Sequence, residues 1–507
     1  MKQLNCLSFT LLVLWGASVS ADDLGVFSLS GDVGNPRNAG KTAFDPKDQT
    51  YELYGSGKNM WFAKDEFHFV YRKISGDFIL RTNARLVGEG VDPHRKLGWM
   101  VRTSLAEDSK YVDVAVHGDG LTSMQFRRLD GSDTEEVGSS VSAPDVIQLS
   151  RQGGTFQMSV AKNGETFTSE ILEDVNLGAE VYVGLFVCSH NEAVIEQGVF
   201  KNVRIICPAP PDFKPYRDYI GSRLETLDVE TGTRHLHFSV NDSLQAPNWT
   251  HDGESLIFNR NGLLFRYDIA TGEVNKIDTG FADQNNNDHV LSFDGQTLGI
   301  SHHTGKDRDS VIYTLPIEGG IPQRVTELGV DSYLHGWSPD GRYLTYTAYR
   351  DKEFDIYRIP ASGGKEERLT RSSGLDDGSE YSPDGKEIYF NSSRTGKMQI
   401  WRMDPDGSNP VQVTDDQYNN WFPHISPDGR SMIIISFQSS VSADDHPFYQ
   451  PVYLRLLERT DEGWSEPKVV AYVYGGQGTI NVPSWSPDGK QVAFVSNSDL
   501  KLLTQSK

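Results

Sequence analysis

Short runs of alternating apolar and polar residues fill the region of the chain before residue 207. A period of two is typical of β-strands that bury one face. The pattern predicts strands at 67–72, 78–82, 97–102, 111–116, 124–128, 146–150, 156–160 and 181–186. Strands at this density predict two sheets packed face to face, as in a jelly-roll β-sandwich.

A five-residue turn motif recurs through the rest of the chain. It reads Trp337-Ser338-Pro339-Asp340-Gly341, with further copies at 249–253, 291–295, 381–385, 425–429 and 485–489, the first two of them weaker. Proline fixes one backbone angle and Asp-Gly forms a tight corner, so each copy predicts a hairpin. Its Ser or Thr positions, 250, 292, 338, 382, 426 and 486, are spaced by 42, 46, 44, 44 and 60 residues. A period in the forties predicts a β-propeller, and six copies predict six blades.

The two ends of the propeller region are predicted to share one blade. Strands at 224–229 and 235–239 have no turn motif ahead of them, and the last motif has no full second hairpin behind it. Pairing these ends closes the ring without an exposed edge strand. The longest spacing indicates an insertion at 439–450, where Asp444-Asp445-His446-Pro447 breaks the strand pattern. Such insertions lie on one face, often the binding face.

Four segments follow from these patterns. They are a secretory signal at 1–21, a sandwich at 22–207, a Pro-rich linker at 208–217 and a propeller at 218–507. The signal combines Lys2, an apolar run and small residues at 19–21, which predicts export to the periplasm or beyond. No other segment is long and apolar enough to span a bilayer. The expected fold class is therefore all-β, a sandwich followed by a six-bladed propeller.

Composition narrows the expected partners. The formal net charge of the 507 residues is -22, which argues against nucleic acid and against an anionic membrane surface. Removal of the signal leaves Cys188 and Cys207. They could pair in an oxidising compartment, or Cys188 could be a small buried apolar residue. A monomer is expected.

The repeats resemble those of the TolB family, a periplasmic component of the Tol system. The resemblance lies in the turn motif at 337–341, in Asp355-Ile356-Tyr357-Arg358-Ile359, in Gly363-Gly364 and in Arg368-Leu369-Thr370, and it returns at 399–403 and 411–414. It covers residues 219–507 and implies a TolB-like propeller, with a periplasmic scaffold as one possible role. The chain departs from TolB in its N-terminal half, where a sandwich replaces an α/β domain.

The N-terminal half resembles the concanavalin-like and laminin-G-like sandwiches. The resembling residues lie at 75–78, 98–102, 183–186 and 200–203. Such sandwiches often bind sugars on one sheet, and the resemblance implies a binding module. The candidates for that sheet are aromatic or arginine side chains, which stack on or hydrogen-bond to sugars, although each could equally fill the core: Trp61, Tyr71, Trp99, Arg102 and Arg127.

The connections into the inner propeller strands are rich in polar residues. They lie at 285–289, 332–336, 374–378, 418–424 and 475–481, and in a propeller they converge on one mouth of the channel. The candidate ligand-binding residues there are Asn287, Asp288, Asp377, Asn420, Trp421 and Asn481. Alternatively, this is a water-filled mouth whose Asn and Asp side chains cap loop backbone.

Three histidines share this predicted rim. His289 and His335 each lie three residues before the Ser of their turn, and His424 lies two before its own. Imidazoles and carboxylates at similar heights could hold a divalent metal such as Mn, Zn or Ca. The arrangement is similar in kind to oligogalacturonate lyases, whose channel-mouth histidines hold a metal beside an arginine base.

Three functions stay open from the sequence. The first is an exported protein that binds a carbohydrate or an envelope partner at the propeller mouth. The second is a metal-dependent glycan lyase or hydrolase, and the third is a TolB-like scaffold. No catalytic residue is assigned, and the sequence contains no Gly-Xaa-Ser-Xaa-Gly elbow of a peptidase after the propeller.

Overall fold

The computed structural model describes residues 24–306, 308–327 and 329–504. The predicted secretory signal at 1–21 lies outside these residues. Within them the chain is built of β-strands apart from one short helix, α1 (Leu500–Thr504). The all-β expectation is confirmed.

Fourteen strands form the N-terminal half. They are β1 (Leu29–Val33), β2 (Lys41–Asp45), β3 (Thr50–Gly55), β4 (Phe67–Ser75), β5 (Phe78–Leu86), β6 (Lys96–Arg102), β7 (Tyr111–His117), β8 (Thr122–Arg127), β9 (Glu135–Gly138), β10 (Val146–Gln152), β11 (Thr155–Ala161), β12 (Thr168–Leu172), β13 (Glu180–Cys188) and β14 (Glu196–Ile206).

These strands make two antiparallel seven-stranded sheets. One has the order β1-β4-β13-β6-β7-β8-β9, and the other β12-β11-β10-β5-β14-β3-β2. The predicted sandwich is therefore present. Its core lies between the sheets and includes Trp99, Phe78, Phe156 and Phe200, all with no exposed surface. A second apolar cluster, around Phe67 and Met100, covers the outer face of the first sheet.

Twenty-four strands follow. They are β15 (Gly221–Asp228), β16 (Arg234–Val240), β17 (Gln245–Trp249), β18 (Ser255–Arg260), β19 (Leu263–Asp268), β20 (Val274–Lys276), β21 (Asn285–Leu291), β22 (Thr297–Thr304), β23 (Asp309–Pro316), β24 (Gln323–Arg324), β25 (Ser332–Trp337), β26 (Tyr343–Arg350), β27 (Glu353–Pro360), β28 (Glu367–Arg368), β29 (Asp376–Tyr381), β30 (Ile388–Ser392), β31 (Gln399–Met403), β32 (Val411–Gln412), β33 (Asn419–Ile425), β34 (Ser431–Phe437), β35 (Gln450–Thr460), β36 (Gly463–Trp464), β37 (Lys468–Gly475) and β38 (Gln491–Ser498).

These strands form six sheets, which are the six predicted blades. Four blades are simple meanders, β17–β20, β21–β24, β25–β28 and β29–β32, and a larger one contains β33–β37. In the sixth, β15 from the start of the propeller pairs with β38 from its end. The shared closing blade that the sequence predicts is confirmed, and it leaves the ring without a seam of unpaired backbone.

The recurring turn closes each inner hairpin in the same way. The Ser338 hydroxyl donates to Asp340 Oδ1 at 2.6 Å and accepts from the Tyr343 amide at 2.9 Å. Gly341 has a φ of +70°, a conformation that glycine adopts without strain. The Trp337 indole donates to the Val290 carbonyl of the preceding blade at 3.0 Å, so the tryptophan before the turn joins neighbouring blades.

The predicted insertion lies between β34 and β35, at 438–449. It packs against the segment after the sandwich, where Phe213 and Tyr449 meet with ring centroids 4.8 Å apart. Tyr474 of β37 also contacts this segment, since its hydroxyl accepts from the Ala209 amide at 3.0 Å. The segment at 208–217, predicted as a stiff linker, is thus held against the propeller over part of its length.

Sandwich and propeller also contact each other directly. Glu225 in the closing blade is fully buried and pairs with Arg204 of the sandwich and Arg234 of its own blade. A backbone hydrogen bond joins the Val469 amide of β37 to the Gly164 carbonyl at 3.0 Å. The side chain of Leu503 in α1 packs into the sandwich core. Cys188 and Cys207 are both buried and free.

Candidate functional site

A cavity of about 1170 Å³ opens at one end of the propeller channel. It lies where the connections into the inner strands meet the hairpins between second and third strands, and we call it the mouth cavity. The recurring turns close the opposite ends of the inner hairpins. The residues that line the cavity are Tyr216, Tyr219, Ser243, Gln245, Asn259, Asn261, Gly262, Asp283, Gln284, Asn285, Asn286, Asn287, Asp288, His303, Arg308, Tyr333, His335, Thr347, Lys352, Glu353, Phe354, Gly374, Leu375, Asp377, Phe422, Asp444, Asp445, His446, Phe448, Gln477 and Asn481.

Irregular pairing of the inner strands presents polar side chains to this cavity. In β21, β25 and β29 the register with the following strand shifts within Asn285–His289, Leu334–Gly336 and Asp377–Glu380. Such a bulge interrupts the alternation of faces and redirects neighbouring side chains. Asp288, His335 and Asp377 come from three consecutive blades and line the same cavity.

A buried ion pair lies in the cavity wall. His335 Nε2 is 2.9 Å from Asp377 Oδ1, which also accepts from the Thr347 hydroxyl at 2.5 Å and the Gly378 amide at 2.8 Å. Burial alone would lower the pKa of His335, but the Asp377 charge raises it to about 9. Burial alone would raise the pKa of Asp377, and the His335 charge instead lowers it to about 2. The pair is therefore charged at neutral pH.

Asp288 is a third charged residue near this pair, and no described cationic side chain forms an ion pair with it. Among the described residues it has no ion-pair partner, and its Oδ2 accepts from the Asn286 amide group at 2.9 Å. Burial, helped by the charge of Asp377, raises the pKa of Asp288 to about 6, against the effect of His335. The wall thus contains a buried carboxylate whose charge is only partly compensated.

The insertion and the linker supply a wall of the cavity whose residues the sequence did not assign to the site. His446 Nε2 lies 4.0 Å from Asp377 Oδ2, and its ring packs 4.5 Å from Trp421. Tyr216 of the linker packs on Phe448 of the insertion, with centroids 5.2 Å apart. The only sequence signal for this wall was the interruption of the strand pattern at 444–447.

The predicted ligand residues divide into two groups. Asn287, Asp288, Asp377 and Asn481 line the cavity, whereas Asn420 and Trp421 do not. Asn420 is fully buried, and its side chain bonds to Gln399 and Arg455. The Trp421 ring is fully buried in the apolar core of its blade. These two positions have structural contacts only.

The three predicted metal-ligating histidines are not brought together. Only His335 lines the cavity. His289 Nδ1 is 2.9 Å from the Asn287 carbonyl and its Nε2 is 3.3 Å from the Ile257 carbonyl. His424 lies between Glu380 Oε2, at 2.7 Å, and the Ile480 carbonyl.

The strand bulges explain this outcome. A shift that falls at a different point of each inner strand means that equal spacing from the turn does not give equal orientation. No group of three His, Cys, Asp or Glu side chains with metal-binding geometry occurs in the described part of the chain. These histidines therefore do not fit the predicted Mn, Zn or Ca site.

The sandwich candidates are not arranged as a sugar platform either. Trp99 points into the core between the sheets, because Met100 occupies the outer face. Arg102 and Arg127 are fully buried and both bind Asp65, with Arg127 contributing two bonds at 2.8 and 2.9 Å. Tyr71 stacks on Phe69. Trp61 is partly exposed, and its backbone carbonyl accepts from the Thr134 amide.

Fold and site together define a six-bladed propeller with a large polar cavity at one end of its channel. A family model described as the TolB beta propeller domain matches residues 306–446. An uncharacterized protein of Agrobacterium fabrum is 43% identical over 275 residues, which are 54% of this chain and 92% of that protein.

A solved structure supports this assignment. A structure from Agrobacterium tumefaciens, solved as a TolB candidate, is 43% identical, with a TM-score of 0.52, over 55% of this chain and 99% of its own. The chain therefore belongs to the TolB-type β-propeller family. TolB of Acinetobacter baumannii is more distant, at 14% identity and a TM-score of 0.40 over 65% of this chain and 79% of its own. No helix in the described ranges is long and apolar enough to cross a membrane.

Proposed function

We propose that this protein is an exported, TolB-like binding protein whose mouth cavity receives a segment of an envelope protein. The signal-like residues 1–21 support export. The cavity of about 1170 Å³ exceeds the usual range for small-molecule sites and has room for several residues of an extended polypeptide. It is the observation on which the proposal rests.

Unsatisfied polar groups in the wall support a polar ligand. The Nδ2 of Asn287 and the Oδ1 of Asn285 are buried and have no hydrogen-bond partner among the described residues. Both residues line the cavity. A buried polar group without a partner costs about 1–3 kcal/mol, and a ligand that supplies the partner recovers that energy on binding.

The same wall favours binding over catalysis. His335 is protonated at neutral pH because of Asp377, so it cannot take up a proton as a general base there. The histidines that the lyase hypothesis requires are engaged with backbone carbonyls or with Glu380. A scaffold or binding role needs neither feature.

Site-specific photocross-linking tests the proposal. A photoreactive amino acid replaces Phe354, which lines the cavity, or Phe293, which is 38% exposed in a turn at the opposite end. In cells of the source organism, we expect one discrete cross-linked protein from position 354 and none from position 293. Equal labelling from both positions, or no product from position 354, would contradict the proposal.

Carbohydrate binding is the second candidate. Phe354 and Tyr333 lie in the same cavity as the amides of Asn259, Asn261 and Asn286, a combination suited to stacking on and hydrogen bonding with sugar rings. An array of neutral and acidic glycans probed with the mature protein tests it. Binding that is lost in Tyr333→Ala would favour a glycan, and silence across the array would leave the polypeptide partner.

We also propose that the N-terminal half is a concanavalin-like sandwich. Its two antiparallel seven-stranded sheets support this proposal. Because Trp99 and Arg102 are buried, any ligand of this half would have to bind elsewhere on its surface. The array probed with Tyr333→Ala protein reports such a site, because that variant alters the mouth alone.

A further inference from the structure

We infer that the mouth cavity recognises a basic side chain of the bound polypeptide, with arginine preferred over lysine. This inference rests on the proposed function and names the chemistry that the partner must present. It is carried by three separate features of the cavity: its charge, an unsatisfied amide and an aromatic wall.

Carboxylates predominate among the charged groups of the cavity. Six acidic side chains line it, against two permanently basic ones, Arg308 and Lys352. The acidic set is Asp283, Asp288, Glu353, Asp377, Asp444 and Asp445. A concave site walled by one sign of charge concentrates ligands of the opposite sign.

Four of these carboxylates form no ion pair within the part of the chain that the structure describes. Asp377 pairs with His335 and Glu353 with Arg368. In the described residues no ion pair is formed by Asp283, Asp288, Asp444 or Asp445. Asp288 is 6% exposed, whereas the other three are exposed at the rim. A cation that enters the cavity therefore meets a buried carboxylate whose charge is only partly compensated, with further carboxylates at the rim.

Asn287 indicates that the cation is attached to a polar chain. The side chain is 5% exposed, it lines the cavity next to Asp288, and its Nδ2 has no hydrogen-bond partner in the described ranges. Nδ2 is a donor and cannot serve a cation, whereas a peptide carbonyl would satisfy it. One neighbouring pair of residues thus offers an acceptor for a positive charge and a donor for a backbone.

The aromatic wall favours a guanidinium over an ammonium. Tyr216, Tyr219 and Phe448 line the cavity on the side of the linker and the insertion. A planar guanidinium stacks on aromatic rings and forms two parallel bonds to a carboxylate, whereas an ammonium is a strongly hydrated point charge. We therefore expect arginine to bind more tightly than lysine.

Fluorescence anisotropy with matched peptides tests the inference on the mature full-length protein. The probe is a labelled, capped hexapeptide of glycine, serine and two arginines. Its controls carry lysine or citrulline, the neutral isostere of arginine, at both positions. We expect the arginine peptide to bind at least tenfold more tightly than the citrulline peptide, with lysine intermediate, and its affinity to fall as salt is raised.

Two variants show whether the peptide binds in the mouth cavity. Asp288→Asn removes the buried charge and should weaken arginine-peptide binding at least fivefold. The matched control is Glu318→Gln, an exposed carboxylate in a turn away from the lining, which should leave the affinity unchanged. If Asp288→Asn fails to fold, the rim variants Asp283→Asn and Asp445→Asn together take its place.

Any one of three results would overturn the inference. The first is equal affinity for the arginine and citrulline peptides, and the second is no binding of the arginine peptide up to millimolar concentration. The third is an equal loss of affinity for the arginine peptide in Asp288→Asn and Glu318→Gln. If photocross-linking from position 354 succeeds while the peptides show no charge preference, the proposed polypeptide partner is supported. The inference that the cavity recognises a basic side chain is then wrong. If both experiments fail, the proposed function fails with it.

Discussion

Buried carboxylates behave differently in the two halves of this protein. On the outer face of the sandwich, Asp65 forms ion pairs with two buried arginines, Arg102 and Arg127, which compensate its charge. In the propeller mouth, Asp288 is buried beside a cavity and has one amide partner. A buried charge therefore indicates a binding site when its compensation is incomplete and a cavity adjoins it. A complete set of partners marks a structural role.

The largest change in the free energy of unfolding is expected when Asp65, which is paired with two arginines, is replaced. Burial raises the pKa of Asp65 although Arg127 and Arg102 both act to lower it. Asp65→Asn nevertheless leaves two fully buried guanidinium groups without their shared counter-charge, which should lower the free energy of unfolding by roughly 3–5 kcal/mol. Denaturant unfolding of the mature protein measures it. The matched control is Asp113→Asn in β7 on the same outer face, because burial raises the pKa of its carboxyl well above the ordinary value. A similar loss in both variants would show that any carboxyl on this face is equally important.

The ion pair in the mouth should give the protein a pH dependence. The folded pKa of His335, about 9, lies above its ordinary value of 6.5, so its contribution is complete below pH 6.5 and is lost as pH rises through 9. The loss should be roughly 2–3 kcal/mol. Melting temperatures between pH 6 and 10 should fall for the wild type and less for His335→Gln. The control is His303→Gln, which alters a cavity histidine that forms no ion pair with any described residue. Identical slopes in all three proteins would contradict this assignment.

Removing the charge of Asp288 should raise the free energy of unfolding, whereas Asp65→Asn should lower it. The folded pKa of Asp288, about 6, lies above its ordinary value of 3.8, so the ionised group destabilises the fold increasingly as pH rises from 4 to 6. Asp288→Asn should therefore raise the free energy of unfolding at pH 7 by roughly 1–3 kcal/mol. The gain should vanish near pH 4. A loss at pH 7 would mean that Asp288 is a structural group like Asp65.

The smallest effect is expected at an exposed pair. Glu318 lies 3.3 Å from Arg266 but its side chain is 76% exposed. Solvent screening limits such a pair to well under about 1 kcal/mol, so Glu318→Gln should leave the melting temperature almost unchanged. If Glu318→Gln shifted the melting temperature as much as Asp288→Asn does, the buried carboxylate at the cavity would not differ from an ordinary surface carboxylate.

The fold was accessible from the sequence because it rests on local, repeated signals. The turn at 337–341 fixes its own geometry through Ser338 and Asp340, and its period counts the blades without any long-range information. The pairing of β15 with β38 followed from the count of strands at each end. Alternation likewise located the sandwich strands, although it could not show that the outer face of the first sheet is itself covered.

The site was only partly accessible, since it depends on details that the repeat does not encode. The polar connections into the inner strands placed Asp288 and Asp377 at one mouth, register counted from the turn added His335, and the structure places all three in the cavity wall. The same count failed for His289 and His424, because a bulge at a different point of each inner strand changes which way a side chain points. His446 and Tyr216 come from non-repeating segments, so no periodic pattern could place them.

The propeller mouth, and not the sandwich, is the binding surface that we propose for this protein. Hydrogen–deuterium exchange of the mature protein, with and without the arginine hexapeptide, distinguishes the two surfaces. We expect slower exchange confined to 283–289, 374–378 and 441–447 when the peptide is present. Protection in the sandwich at 56–66 or 96–127, or no change in the three mouth segments at saturating peptide, would contradict it.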